Sequence, residues 1–301
     1  MLPTVQVLLS TYNGEKTVER QINSILKQAG VRVNILVRDD GSIDNTQKIL
    51  RKLQDRNPER IELFFGSNLG WRASFFKLME LSGSADFFAF SDQDDIWFAN
   101  KLSASIAPMK KSLRSPEMVH VQSLEVDENL QQLPNQRKKL PEPLSFKMAV
   151  VSELFQGCSM VWNRAAMDIV KENLPSSPDI PHDFWTGLIC YLVGDVQFVT
   201  EPQFYHIRYS DNSSTDGNIL KGRVARIKKV LKHQKAYINP CRDLLHTSVL
   251  FSPEERNFFE TVTDYKEHFH LRMSLVLDKD FRRPSSLATL LLKAQILLGQ
   301  Y

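Results

Sequence analysis

The stretch Asp86-Phe87-Phe88-Ala89-Phe90-Ser91-Asp92-Gln93-Asp94-Asp95 runs an apolar segment directly into a cluster of carboxylates. The apolar part has the length and aromatic content of a buried strand, and the acidic cluster closes its carboxyl end. Mg2+ and Mn2+ prefer oxygen ligands, and Mg2+ usually combines one or two protein carboxylates with water and the oxygens of a substrate phosphate. An Asp-x-Asp at a strand end therefore points to a metal-diphosphate site. An Asp-rich turn closed by Asx hydrogen bonds is the ordinary alternative.

Two more strands end in the same way. Residues 33–37 (Val-Asn-Ile-Leu-Val) lead into Arg38-Asp39-Asp40-Gly41-Ser42, ahead of a helical pattern over residues 44–53. Residues 5–9 stop at Ser10-Thr11-Tyr12-Asn13-Gly14, before a helix from about Glu15 whose Val18, Ile22, Ile25 and Leu26 make one apolar face. In an open α/β sheet, ligands bind outside the carboxyl ends of the strands. The three polar clusters are thus expected to converge on one site.

Residues 1–102 read as repeated strand-helix units, with a further strand at 61–65 and a further helix at 72–81. From Met118 the pattern loosens. Val119, Val121 and Leu124 suggest a strand, residues 133–143 a loop, 154–162 a strand, 164–172 and 184–193 helices, and 196–200 a strand. Beyond Asp216 the chain reads as helical, punctuated by Pro240, Pro253 and Pro284. The expected organisation is residues 1–215 as one catalytic domain, with a nucleotide-binding half (1–102) and an acceptor half (103–215), followed by a helical region over 216–301.

Charged residues make up 24% and hydrophobic ones 42%, as in an ordinary soluble globular protein, and the formal charge of +3 is too small to argue for nucleic acid. Cys158, Cys190 and Cys241 are widely spaced and odd in number, so neither a zinc site nor a disulfide framework is indicated, and they are expected to fill apolar interior. The amino terminus enters a strand almost at once, and the apolar stretch 287–298 is interrupted by Lys293 and too short to cross a bilayer. A cytoplasmic location is expected.

Six stretches in order, LLSTYNGE (8–15), VRDDGSIDNT (37–46), SNLG (67–70), FSDQDDIW (90–97), GCSMVWNRAA (157–166) and HDFW (182–185), resemble family 2 glycosyltransferases. The DQDDIW form is most similar to bacterial transferases that build rhamnose-containing surface polysaccharides. The resemblance covers residues 1 to about 215. It implies an inverting, metal-dependent enzyme on a Rossmann-like α/β fold of the GT-A type, with a nucleotide-sugar donor and Mg2+ or Mn2+.

By that resemblance Ser10, Tyr12 and Asp40 hold the nucleotide base, Arg72 reaches the base or the diphosphate, Asp92 contacts the ribose, Gly157 lies against the donor, Asp94 binds the metal and Asp95 completes the acidic rim. The chemistry agrees, because a carboxylate accepts from the N3–H of uracil or thymine and a tyrosine ring offers a stacking face. Asp40 reads equally as a turn carboxylate ahead of the helix, and Arg72 as an exposed residue of a first helical turn. Asp183 matches the family's catalytic aspartate, the base that takes the proton of the acceptor hydroxyl. Its ordinary alternative is a helix N-cap, and His182 is the rival base, otherwise a supporting residue. Two departures stand out: Tyr205-His206-Ile207-Arg208 carries His206 and Arg208 in the reverse of the family's Arg-x-His order, and Ser74 replaces an Asn.

Residues 220–235 interleave seven Lys and Arg with Leu220, Val224, Ile227 and Leu231 at helical spacing. This pattern suits a solvated basic helix face or a peripheral contact with an anionic inner leaflet, where each Lys or Arg contributes about 1 kcal/mol. Nucleic acid fits poorly, since no aromatic platform accompanies the charge. The resulting expectation is transfer of a sugar, foremost L-rhamnose from dTDP-rhamnose, to a hydroxyl of a lipid-linked glycan. A UDP-hexose or UDP-N-acetylhexosamine is the alternative donor. A non-catalytic nucleotide-sugar-binding assembly partner is the alternative of a different class.

Overall fold

A computed structural model describes residues 1–109, 115–134, 136, 145–152, 156–209 and 237–299. The basic segment 220–235, the 215/216 boundary and most of the 133–143 loop lie outside the described residues. The chain divides into two compact units. The first takes in the described residues of Met1–Lys139, Phe155–Leu174 and Pro181–Ile207, and the second those of Leu140–Leu154, Pro175–Ile180 and Arg208–Tyr301. The division is therefore not one cut along the chain: two short segments from the middle of the sequence fold with the carboxyl-terminal helices.

The elements follow in the order β1 (Thr4–Thr11), α1 (Val18–Leu26), β2 (Arg32–Asp39), α2 (Thr46–Arg56), β3 (Ile61–Phe65), α3 (Trp71–Leu81), β4 (Phe87–Ser91), β5 (Ile96–Trp97), α4 (Lys101–Ile106) and β6 (Glu117–Val126). Then come α5 (Phe146–Val150), a 3-10 turn at Gly157–Ser159, β7 (Met160–Asn163), α6 (Arg164–Glu172), α7 (His182–Val193) and β8 (Asp195–Ile207). Helices α8 (Ile238–Leu245), α9 (Pro253–Asp264), α10 (Phe269–Leu277) and α11 (Ser286–Leu297) complete the set.

The first unit is built on one sheet in the order β3-β2-β1-β4-β7-β6-β8-β5. Strands β1 to β4 are mutually parallel, whereas β7 runs antiparallel to both β4 and β6. β4 is buried along its whole length, which explains its unbroken apolar sequence. In α1 the buried residues Val18, Ile22 and Ile25 recur at helical spacing and join the core that includes residues of β1 and β2. The chain moves outward from β1 through β2 to β3, then crosses back to place β4 on the other side of β1. That reversal opens a crevice at the carboxyl ends of β1 and β4.

Of the expected strand at 154–162, residues 154 and 155 lie outside the described residues; the 3-10 turn at Gly157–Ser159 takes the place of strand before the four-residue β7, which pairs with β6 from Met160 and with β4 from Val161. β8 is longer than expected, and the two-residue β5 pairs with its end in antiparallel register. Too short to show a period, β5 left no signal in the sequence. All three cysteines are buried and free, as anticipated.

In the second unit, Asp243 of α8 accepts from Ser176 Oγ and from the amide and hydroxyl of Ser177 at 2.8–3.1 Å. Lys147 of α5 pairs with Asp278 at 2.9 Å and Glu254 at 3.2 Å. α9 starts with a reciprocal capping box between Ser252 and Glu255, with Pro253 in the first turn, as the punctuation by proline implied. No helix among the described residues is long and apolar enough to cross a membrane.

Candidate active site

The loops after β1, β2 and β4 are tied to one another by side chains. Gln93 clamps the β1 loop through a two-way pair: Tyr12 N–H donates to Gln93 Oε1 at 2.9 Å, and Gln93 Nε2 donates to the Tyr12 carbonyl at 3.1 Å. Asn13 N–H donates to Ser42 Oγ, and Gly14 N–H to Thr46 Oγ1, which joins the β1 loop to the β2 loop. The convergence inferred from three strand ends is thus present. Gly41 allows the close approach, since its φ is +81° and a Cβ there would lie 2.9 Å from the Asn68 amide.

Asp40 is buried, and its carboxylate receives Arg38 Nη1, Leu69 N–H at 2.8 Å and Gly70 N–H at 2.9 Å. It therefore shapes the Ser67-Asn68-Leu69-Gly70 turn. With three of about four lone-pair positions occupied, one remains for an outside donor. Asp44, not Asp40, serves the entry to α2, accepting from Thr46 N–H at 2.9 Å. Ser10 Oγ shares a 2.6 Å hydrogen bond with Ser74 Oγ, which also accepts from Arg38 at 2.9 Å, so the Ser74 departure keeps a polar role. Tyr12 and Trp71 stand half exposed at the rim, with the Arg72 guanidinium 4.3 Å from the Trp71 ring centroid.

Asp92, Asp94 and Asp95 gather below this rim. Burial, then the neighbouring Asp95 and Asp94, push the Asp92 carboxyl up to about 7, and Asp183 adds to the effect. Asp94 is raised for the same reasons, burial first and Asp95 second. Asp95 is buried; its Oδ1 meets His206 Nδ1 at 2.9 Å, while Oδ2 is buried with no hydrogen-bond partner among the described residues. Mutually repelling carboxylates and an orphaned buried oxygen are the donor set a hard divalent cation satisfies. The residues present fit Mg2+ or Mn2+. The β5–β8 register, Ile96 opposite Tyr205, carries one residue further to set Asp95 opposite His206. The exchanged order thus brings His206 into the cluster; Arg208 falls in the second unit.

α7 delivers Asp183. Its Oδ2 accepts from Gly157 N–H at 3.2 Å and its Oδ1 from Phe184 N–H at 2.8 Å. The N-cap position belongs to Pro181, so Asp183 lies in the first turn rather than capping it. His182 is buried, stacked on Phe75 at 3.9 Å between ring centroids and edge-on to Phe90 at 4.5 Å. Burial, then the Arg72 charge, push its pKa down to about 3, which makes it a weak proton acceptor at neutral pH. A Cβ on Gly157 would lie 3.0 Å from His182 Nε2, so a larger residue here would press on that ring.

Sequence reasoning missed Gln93 as a clamp, Arg38 as the buried cation under Asp40, and Lys101. Lys101 is fully buried, donating from Nζ to the Cys158 carbonyl at 2.6 Å, and burial lowers its pKa to about 7. The Cys158 thiol, next to Asp95, is raised well above its ordinary value, chiefly by burial. A lysine in an exposed-looking helix start carries no sequence signal of burial.

Comparison with known proteins assigns the class. The mannosyltransferase of Pyrobaculum calidifontis in complex with GDP-Man and Mn2+ superposes with a TM-score of 0.55 at 14% identity, over 100% of this chain and 81% of that one. S. aureus TarS 1-349 in complex with UDP-GlcNAc gives 0.55 at 16%, over 98% and 81%. The fold is the GT-A-like, Rossmann-type fold of glycosyltransferases, followed by a helical carboxyl-terminal region. Residues 6–169, more than half of the chain, match Glycosyl transferase family 2, and the chain belongs to that family.

An uncharacterized glycosyltransferase of Nostoc is 24% identical over 78% of this chain and 74% of its own length. The dTDP-rhamnosyl transferase RfbG of Shigella flexneri is 36% identical over 33% of this chain and 35% of its own. The UDP-Glc:alpha-D-GlcNAc-diphosphoundecaprenol beta-1,3-glucosyltransferase WfgD of Escherichia coli is 36% identical over 36% and 42%. The match to these last two spans well under half of their length.

Proposed function

We propose that this glycosyltransferase moves a sugar from a pyrimidine-nucleotide donor, foremost L-rhamnose from dTDP-rhamnose, to a hydroxyl of a lipid-linked glycan, with inversion. The observation that carries the reading is the place of Asp183 beside β4: its carboxylate on α7 accepts from the Gly157 N–H, and Gly157 lies against both Asp183 and Phe90, next to the acidic end of that strand. In this reading Tyr12 stacks on the base, and Asp40 and Ser10 supply polar contacts to it. Arg72, half-buried with Nε lacking a partner among the described residues, faces the donor.

As the acceptor oxygen attacks the anomeric carbon, the bond to the diphosphate breaks and its electron pair leaves with the nucleotide. Asp183 takes the proton that the hydroxyl loses, and the Gly157 N–H keeps that carboxylate in place. A divalent cation held by Asp94, with His206 and the rim carboxylates, would neutralise charge on the departing diphosphate. Direct attack from the face opposite the leaving group inverts the centre.

WfgD, as similar as RfbG, favours a second reading with a UDP-linked hexose as donor. Both readings place the enzyme at the inner face of the membrane, where the basic pattern of residues 220–235 meets anionic lipid. The test is a panel of dTDP-rhamnose, UDP-glucose and UDP-N-acetylglucosamine, followed by calorimetric binding and by donor hydrolysis with and without Mn2+. Metal-dependent turnover of dTDP-rhamnose supports the first reading and turnover of UDP-glucose the second. Binding without turnover of any donor returns the protein to a non-catalytic assembly role.

A further inference from the structure

Lys101 opens α4 with no exposed surface, although an ammonium group is almost never fully buried unless paired. Its Nζ lies 3.2 Å from the Trp97 ring centroid and 4.8 Å from that of Phe204. It donates to the Cys158 carbonyl at 2.6 Å. That carbonyl sits in the Gly157–Ser159 turn, and the N–H of Gly157 in the same turn holds Asp183 Oδ2. The ammonium is also within electrostatic reach of Asp95 and Asp92.

An apolar side chain of similar volume would fill this space at least as well for stability, because a buried charge is expensive to desolvate. The lysine therefore calls for a role beyond packing. Resting on the reading of Asp183 as the base, we propose that Lys101 is a positioning residue: by pinning the Gly157–Ser159 turn, it sets the Asp183 carboxylate relative to the acidic end of β4. It touches neither the donor nor the acceptor. Its effect passes through the Cys158 carbonyl and the Gly157 amide.

Lys101→Met keeps the length and the apolar stem while deleting the charge and the donor. With whichever of dTDP-rhamnose or UDP-glucose the wild type turns over, kcat is expected to fall about 100-fold, the loss typical of a displaced reacting group. The Kd of dTDP or UDP with Mn2+, measured by calorimetry, is expected to stay within about twofold, and Mn2+ affinity should not fall, since removing a like charge does not weaken a cation. A double-mutant cycle with Asp183→Asn supplies the readout that a packing role would not produce. If Lys101 acts through Asp183, the double variant is no slower than Asp183→Asn alone; independent effects multiply.

The proposal is overturned by a near-wild-type kcat in Lys101→Met, by multiplicative losses, or by Mn2+ affinity that collapses together with kcat. Should Lys101→Met not fold, Lys101→Gln, neutral and polar, enters the same cycle with the same criteria. Failure of the underlying reading is seen separately, as full transfer by Asp183→Asn alone.

Discussion

His206 Nδ1 and Asp95 Oδ1 lie 2.9 Å apart, with the carboxylate buried and the ring partly exposed. A buried carboxylate held against one ring nitrogen fixes the orientation of an imidazole. Asp95 thus reads as the group that orients His206, and Asp94 as the rim carboxylate left for a cation.

The two aspartates should separate in a Mn2+ titration with dTDP or UDP present. Asp94→Asn, losing a charged ligand, is expected to abolish metal-dependent turnover. Asp95→Asn, losing an orienting partner, should weaken Mn2+ binding about 10- to 100-fold while leaving turnover at saturating metal. Unchanged metal affinity and turnover in Asp94→Asn would reject the metal assignment.

Stability of the metal-free protein should carry the signature of Asp92. Its pKa in the fold, about 7, lies above the ordinary 3.8, so between these values the folded chain holds a proton that the unfolded chain has released. The Asp92 contribution is therefore full below the lower value and is lost as pH rises toward 7. Thermal melts in chelator, compared with Asp92→Asn, should show the wild type losing Tm relative to the variant across this window, and added Mn2+ should restore it. A wild type that gains on the variant with rising pH contradicts the assignment.

His182 has the opposite sign. Its pKa is depressed from 6.5 to about 3, so on acidification the unfolded chain takes up a proton that the folded chain refuses. Stability is lost as pH falls from 6.5 toward 3. His182→Phe, which keeps a ring in the Phe75–Phe90 stack, is expected to shrink the Tm drop between neutral and acidic buffer. An identical drop in both proteins would mean that His182 is accessible to protons in the fold.

Asp183→Asn should part chemistry from binding. Its loss leaves the β1 and β2 loops and Asp94 untouched, so donor affinity by calorimetry is expected to hold. Transfer should fall about 100- to 10,000-fold, the usual contribution of a positioned base. Transfer near the wild-type rate would reduce Asp183 to a first-turn residue of α7.

The sequence by itself determined the strand-helix alternation, the acidic strand ends and their meeting at one edge, because short-range periodicity and the right-handed logic of α/β units are local properties. The six motif stretches likewise carried the family. Only the tertiary structure decided what depends on contacts between distant residues. The antiparallel β5–β8 register turns an apparently exchanged His206 toward Asp95, and the crossover to β4 brings Gln93 against Tyr12. Burial makes a structural cation of Arg38 and encloses Lys101 between Trp97 and the Cys158 carbonyl. Two residues of a type usually found in water are held inside in part by distant partners, Ser74 36 positions from Arg38 and Cys158 57 positions from Lys101, and no local pattern encodes that.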